Sequence, residues 1–198
     1  MTEKQILAQY LFIAAATEGD AESVKTLLRS GLVPDVDCFD EEGRTALMYA
    51  VIEGHTEVAE LLCENGADVN FKDNWGCTPL IFAAHQGYTD AAELLISKSA
   101  ELNTRDEQGF SPLMWAAWKG KSDSVRQLAD KGAEINLQNI SGETALFAAA
   151  YNNSPDIAEL LLSLGADAKI TDFGGETAAD VALRENHDEV AKILGARR

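Results

Sequence analysis

The sequence predicts an all-α solenoid of stacked helix–turn–helix units joined by β-turn or hairpin loops. Three observations carry this. A fixed interval of 33 residues separates Gly43, Gly76, Gly109, Gly142 and Gly175, with no insertion between copies. Each copy opens with Thr or Ser ahead of a short apolar run, which stops at Gly54, Gly87, Gly120, Asn153 or Asn186. A second apolar-striped segment follows and leads into an extended, turn-rich stretch such as "ADVNFKDNWG". A period of this length marks a repeat array, in which each unit buries its apolar face only against its neighbours.

Taken in order, residues 1–39 hold a looser first copy, "LFIAAATEGDAESVKTLLRSGLVPDVD", with two extra residues before Pro34. It reads as an N-terminal capping unit. Residues 40–72, 73–105, 106–138 and 139–171 form four full units, and 172–198 a shortened closing unit, all within one domain. End units are expected to turn polar faces outward, which argues against end-to-end stacking.

Within a unit, the first helix is expected to begin after Thr45, Thr78, Ser111, Thr144 or Thr177, whose hydroxyls can cap free N–H groups. Pro79 and Pro112 suit the first turn, where no N–H partner is needed. The helix is short, as in "PLIFAAHQ", and ends at a residue suited to the left-handed region, Gly or Asn. Ser154-Pro155 opens a second helix by the same device. Val58, Leu61 and Leu62 recur as Ala91, Leu94 and Leu95, the i, i+3, i+4 spacing of one helix face. Gly66, Gly132 and Gly165 stop this second helix. The pairs Ala83-Ala84, Ala116-Ala117 and Ala149-Ala150 let first helices approach closely, while leucines fill the second row. Rows of unequal thickness predict a curved stack with the short helices and turns on its concave side.

Composition narrows the function. The chain has 198 residues and a net charge of −17. Such a field repels phosphate backbones, so no nucleic-acid partner is expected and a basic protein partner is favoured. No apolar run is long enough to span a bilayer, and "MTEKQILAQY" lacks the apolar core of a secretory signal. No membrane partner is expected. Three cysteines, Cys38, Cys63 and Cys77, are an odd number without CxxC spacing. That fits a reducing compartment: the cytoplasm, or the nucleus and cytoplasm of a eukaryote.

The pattern "GxTPLxxAAxxGxxxxAxxLLxxxAxxN" resembles the ankyrin repeat over about residues 6–195. The family often carries His after "TPL"; here Met48, Ile81, Met114, Phe147 and Asp180 stand there, so apolar packing is expected to replace its hydrogen bonds. The resemblance implies a right-handed, slightly curved solenoid that binds protein partners through loops and concave helices, without catalysis, cofactor or metal. It also implies a structural role for His55 and His187 in the turns. In animal ankyrin repeats the Asn matching Asn70, Asn103 and Asn136 can be hydroxylated, and Asn70 is the candidate here, with Leu62 upstream and Val69 beside it. The competing reading is that this Asn holds the loop by backbone hydrogen bonds.

Comparing the copies separates core from surface. Tyr49, Phe82, Trp115, Ala148 and Val181 occupy one position, all apolar, and read as core, which removes Trp115 from the contact candidates. Ile52, His85, Trp118, Tyr151 and Arg184 scatter in chemistry and read as surface, as does the neighbouring series that includes Lys119. The turns vary freely and place Trp75, Phe110 and Ile140 at or beside their tips. The expected partner-binding set is therefore Trp75, His85, Phe110, Trp118, Lys119, Ile140 and Tyr151, because exposed aromatic clusters are typical of interface hot spots. The expected function is a non-catalytic, monomeric protein-binding scaffold whose partner is basic or has exposed apolar residues. The alternative is a structural or self-assembling spacer.

Overall fold

The computed structural model describes residues 2–33 and 35–195; Pro34, next to the two extra residues of the first copy, lies outside them. The described residues form twelve helices and no strand, only two isolated bridges, Phe39 with Thr45 and Thr171 with Thr177. The chain divides into two compact units. The first, residues 1–83 and 88–101, contains α1 (Glu3–Glu18), α2 (Ala21–Ser30), α3 (Ala46–Ile52), α4 (Thr56–Glu64), most of α5 (Pro79–Gln86) and α6 (Thr89–Ser97). The second, residues 84–87 and 102–198, contains the end of α5, then α7 (Pro112–Trp118), α8 (Ser122–Asp130), α9 (Ala145–Tyr151), α10 (Pro155–Ser163), α11 (Ala178–Arg184) and α12 (Asp188–Ile193).

Each unit is two rows of helices. In the first, α1 packs on α3, and α2, α4 and α6 follow one another. In the second, α7, α9 and α11 form one row and α8, α10 and α12 the other. The large core side chains sit at matching places: Leu47, Met48 and Leu62 in the first unit, Leu113, Phe147 and Leu161 in the second, all fully buried. The position after "TPL" is thus filled by apolar side chains, as expected, except in the last copy. There Asp180 accepts the Thr177 N–H at 2.9 Å while Thr177 Oγ1 accepts the Asp180 N–H at 3.2 Å, a reciprocal cap.

Thr45, Thr78 and Ser111 also cap their helices, accepting from Met48, Ile81 and Met114 N–H at 3.3–3.4 Å. Two expected caps are not made. Thr144 and Ser154 stand at the capping position without a side-chain bond to the helix, and the Ser154 hydroxyl donates instead to the Asn152 carbonyl at 3.3 Å. Asn153 and Asn186 adopt left-handed backbone, φ 48° and 61°, where earlier copies have Gly. His55 bonds the Thr17 carbonyl at 3.0 Å and His187 the Ala150 carbonyl at 2.8 Å, each tying its turn to the preceding copy.

Two rows of polar side chains hold the loops. The first is a turn carboxylate, present in every copy after the first except the one with Asn139. Oδ1 of Asp40 accepts the N–H groups of Glu42 and Arg44, that of Asp73 those of Trp75 and Cys77, and that of Asp106 those of Gln108 and Phe110, at 2.8–3.0 Å. The other oxygen reaches the first helix: Tyr49 O–H donates to Asp40 Oδ2 at 2.7 Å, and Trp115 Nε1–H to Asp106 Oδ2 at 2.8 Å. The second row joins consecutive loops. Asn70, Asn103 and Asn136 accept the N–H of Glu101, Glu134 and Asp167 at 2.8–2.9 Å. Asp37 fills the same role toward Asp68 in the first copy, at 3.0 and 3.1 Å.

Two stability tests follow from these rows. Burial, reinforced by Asp35 and Asp68, raises the Asp37 pKa above its ordinary value, although the Asp68 N–H opposes the shift. Asp37→Asn keeps the acceptor and removes the charge, so it should stabilise the protein by about 0.5 kcal/mol at pH 7, roughly 1–2 °C in melting temperature. A raised folded-state pKa means the wild type is penalised above that pKa and recovers as pH falls through it toward the unfolded value of 3.8. The advantage of the variant should therefore vanish in acid; a gain independent of pH would contradict the charge argument. In the second test, Asp106→Ala should cost about 2 kcal/mol in denaturant unfolding, because three part-buried donors lose their acceptor. Asp106→Asn should keep the turn but set a donor against Trp115 Nε1–H, and adding Trp115→Phe should recover part of the loss in a double-mutant cycle.

Candidate functional site

The second unit carries a run of half-buried rings. His85, at the end of α5, lies 5.3 Å from Trp115 on α7, centroid to centroid. Trp115 lies 5.1 Å from Phe110 in the preceding turn. Phe110 meets Trp118 edge-on at 6.2 Å, and Trp118 meets Tyr151 on α9 at 6.0 Å. All are within the range at which ring pairs attract.

Their polar ends are fixed. Trp115 is held by Asp106 as above. Tyr151 O–H donates to Glu143 Oε1 at 3.0 Å, and Asn139 Nδ2–H holds Glu143 Oε2 at 2.8 Å. Asn139 stands where the other copies have the turn Asp, and its Oδ1 accepts the Ser141 and Glu143 N–H groups at 2.9 and 3.0 Å. Asn152 clasps the Trp118 carbonyl at 2.9 Å. Burial, then Lys119, lowers the His85 pKa; the bond to Gln86 opposes this and Lys121 adds least, so the ring is mainly neutral at pH 7. Burial, then Glu143, raises the Tyr151 pKa and keeps its hydroxyl protonated. The crevice among Phe110, Trp118 and Tyr151 is about 10 Å³, room for a water at most.

Of the seven expected contact residues, the structure brings His85, Phe110, Trp118 and Tyr151 into this run. Lys119 is exposed next to Trp118. Ile140, 65 % exposed, is at a turn tip, and Phe173, one copy later and not foreseen, is 77 % exposed. Their turns are linked by backbone bonds from Ile140 N–H to the Gln108 carbonyl and from Phe173 N–H to the Ser141 carbonyl, at 3.2 and 2.9 Å. Trp75 belongs to the first unit. It is 44 % exposed, with the Arg44 guanidinium 5.3 Å from its ring centre and 5.4 Å from that of Phe82.

The structure corrects the reading of Trp115 as core. Ala148 and Val181 at that position are buried, but Tyr49, Phe82 and Trp115 are too large for it and reach out toward the turn, half-exposed. The signal was present in the sequence: Asp40 lies nine residues before Tyr49, and Asp106 nine before Trp115. Asn70 is half-buried. It accepts from Glu101 and its Nδ2–H donates to the Ser99 carbonyl at 3.4 Å, which supplies the loop-holding role. Among the described residues, no group of His, Cys, Asp or Glu is arranged to hold a metal, and no helix is long and apolar enough to cross a membrane.

Comparison with known proteins places this geometry. The family profile for ankyrin repeats, in three copies, matches residues 3–73, 66–139 and 113–197. Among curated proteins, human ankyrin repeat domain-containing protein 29 is 45 % identical over 58 residues, 29 % of this chain and 19 % of that protein. The Drosophila melanogaster E3 ubiquitin-protein ligase Ufd4 is 45 % identical over 51 residues, 26 % of this chain and 2 % of its own length. The chain therefore corresponds to less than a fifth of each. Two solved structures match far more. The ankyrin repeat protein EF0377 superposes with a TM-score of 0.85 and 34 % identity, covering 96 % of this chain and 98 % of that one. A chain of the complex between the predatory endopeptidase Bd0816 of Bdellovibrio bacteriovorus and the immunity protein Bd3460 gives 0.84 and 32 %, covering 95 % and 98 %. Since the profile runs from residue 3 to residue 197 and EF0377 shares the backbone over nearly its whole length, this chain is a member of the ankyrin repeat family.

Proposed function

We propose that this protein is a non-catalytic binding scaffold that holds a protein partner on the first-helix and turn surface of its second unit. The observation that carries the reading is the run His85–Trp115–Phe110–Trp118–Tyr151, whose rings are half-exposed, with Trp115 and Tyr151 oriented by hydrogen bonds to Asp106 and Glu143. Rigid aromatic side chains lose little entropy on binding and dominate interface energetics. Lys119 on one side, with Ile140 at a turn tip, would complete the contact. Trp75, stacked with Arg44, is a second contact in the first unit.

The partner would carry exposed apolar side chains, and basic ones to answer the net charge of −17. Ankyrin repeats in general mediate protein–protein interaction, and a similar chain occurs in the endopeptidase–immunity protein complex. Conversion of substrate has no support in the ring run, which lacks a cleft of the usual several hundred Å³. The protein would act as a monomer in the cytoplasm, or in the nucleus and cytoplasm of a eukaryote, without nucleic acid or cofactor, and Asn70 remains a candidate for hydroxylation.

The test is affinity capture from source-cell lysate, then direct titration of the recovered protein against wild type and a Trp118→Ala, Tyr151→Ala variant of matched helicity. The expected result is at least a 30-fold weaker Kd for the variant, about 2 kcal/mol, the typical loss from even one anchor. A partner bound equally by both would refute this surface.

A further inference from the structure

We propose that the outward face of α1 and α2, in the first unit, is a second interaction surface, built to receive an amphipathic helix that carries Lys or Arg beside its apolar stripe. It shares no residue with the ring run and goes beyond the function proposed above.

The first copy is expected to turn a polar face outward, yet α1 also exposes Ile6, Leu7, Tyr10 and Leu11. Helix α1 has 16 residues, about twice the length of α3 or α5, and is apolar on more than one side. Phe12 and Ala16 are fully buried, whereas Leu7 and Leu11 are 60 % and 51 % exposed. Leu7, Leu11 and Ala14 follow one another at i, i+4 and i+7, a continuous stripe along one face. Aligning Gly19 with Gly54 sets Leu11 opposite Ala46 and Leu27 opposite Leu62. Ala46 and Leu62 are fully buried, as are their later equivalents Ala145 and Leu161. Leu27 is only half-buried. The first pair thus exposes side chains at positions that later pairs bury.

Between α1 and α2 runs a groove of about 570 Å³, lined in part by the apolar Leu11, Ala14 and Leu27. Glu18, Asp20 and Glu22 line it as well. Lys25 pairs with Glu22 at 2.8 Å, and Arg29 also lies close enough to lower the Glu22 pKa. Apolar and acidic side chains in one groove select the occupant. A helix laying large apolar side chains at i, i+3 and i+4 into the groove would set its flanking basic residues against Glu18 and Asp20. A second copy of this chain would bring its own Glu18, Asp20 and Glu22 to the same place, and a net charge of −17 as well.

The test uses the full 198-residue chain and a fluorescein-labelled 16-residue helical peptide of Leu and Lys, with a Leu and Glu peptide of identical stripe as control. Anisotropy titration should show the Leu–Lys peptide binding at least tenfold more tightly than the control. Leu11→Glu should weaken it at least tenfold, Glu18→Gln severalfold, and Trp118→Ala not at all, which separates this surface from the ring run. Leu7→Glu, at a still more exposed position, serves if Leu11→Glu lowers the helix content. Equal binding by wild type and both Leu→Glu variants, or equal binding of the two peptides, would overturn the proposal. So would sedimentation showing a dimer that Leu11→Glu dissolves, because a second copy would then be the occupant.

Discussion

The structure depends first on a short-range polar contact, the turn carboxylate that accepts two backbone N–H groups. In Asp40, Asp73 and Asp106 one oxygen closes the turn by bonding the residues two and four positions on. The turn then delivers the chain to the helix cap one residue later, at Thr45, Thr78 and Ser111. Asp73 and Asp106 are themselves buried, so the geometry is enforced: a buried carboxylate without those donors would be expensive. With loop and helix start fixed together, the apolar rows of successive pairs come into register.

The second oxygen of that carboxylate links scaffold to surface. Where a donor sits nine residues on, as in Tyr49 and Trp115, the oxygen fixes the ring in a half-exposed pose. Where the copy has Ala148, the carboxylate is replaced by Asn139, whose amide recruits Glu143 and through it Tyr151. The proposed contact surface is therefore an extension of the loop-closing device, with Trp115 and Tyr151 held in place by it. Pre-ordering of this kind removes part of the entropic cost of binding.

Much of the fold was legible because the chain repeats itself. The start and end of α5, "PLIFAAHQ", follow from Pro79 and Gly87. The role of Asn70 as a loop holder follows from its recurrence as Asn103 and Asn136. Trp115 was misread because comparing copies sorts positions by polarity and ignores size. A position that accepts Ala148 in full burial cannot hold an indole, so the ring turns outward. The turn carboxylates escaped notice for a different reason: Asp in a loop looks like solvated surface, and only geometry shows two donors converging on it. Phe173 was left out of the expected set, although its place matches Ile140. In the first copy, the run "LFIAAA" gave no sign of which side of α1 would face out.

The loop-to-loop clasps have a consequence for how force and damage travel along the chain. Asn70 reaches Glu101, Asn103 reaches Glu134 and Asn136 reaches Asp167, each across 31 residues, and His55 and His187 reach back 38 and 37. Each of these bonds joins one copy to the next and no farther. Load applied to such a chain is carried in series, so the weakest junction yields first and its neighbours can close behind it. Copies can likewise be gained or lost by whole periods, with only the two flanking junctions needing to match.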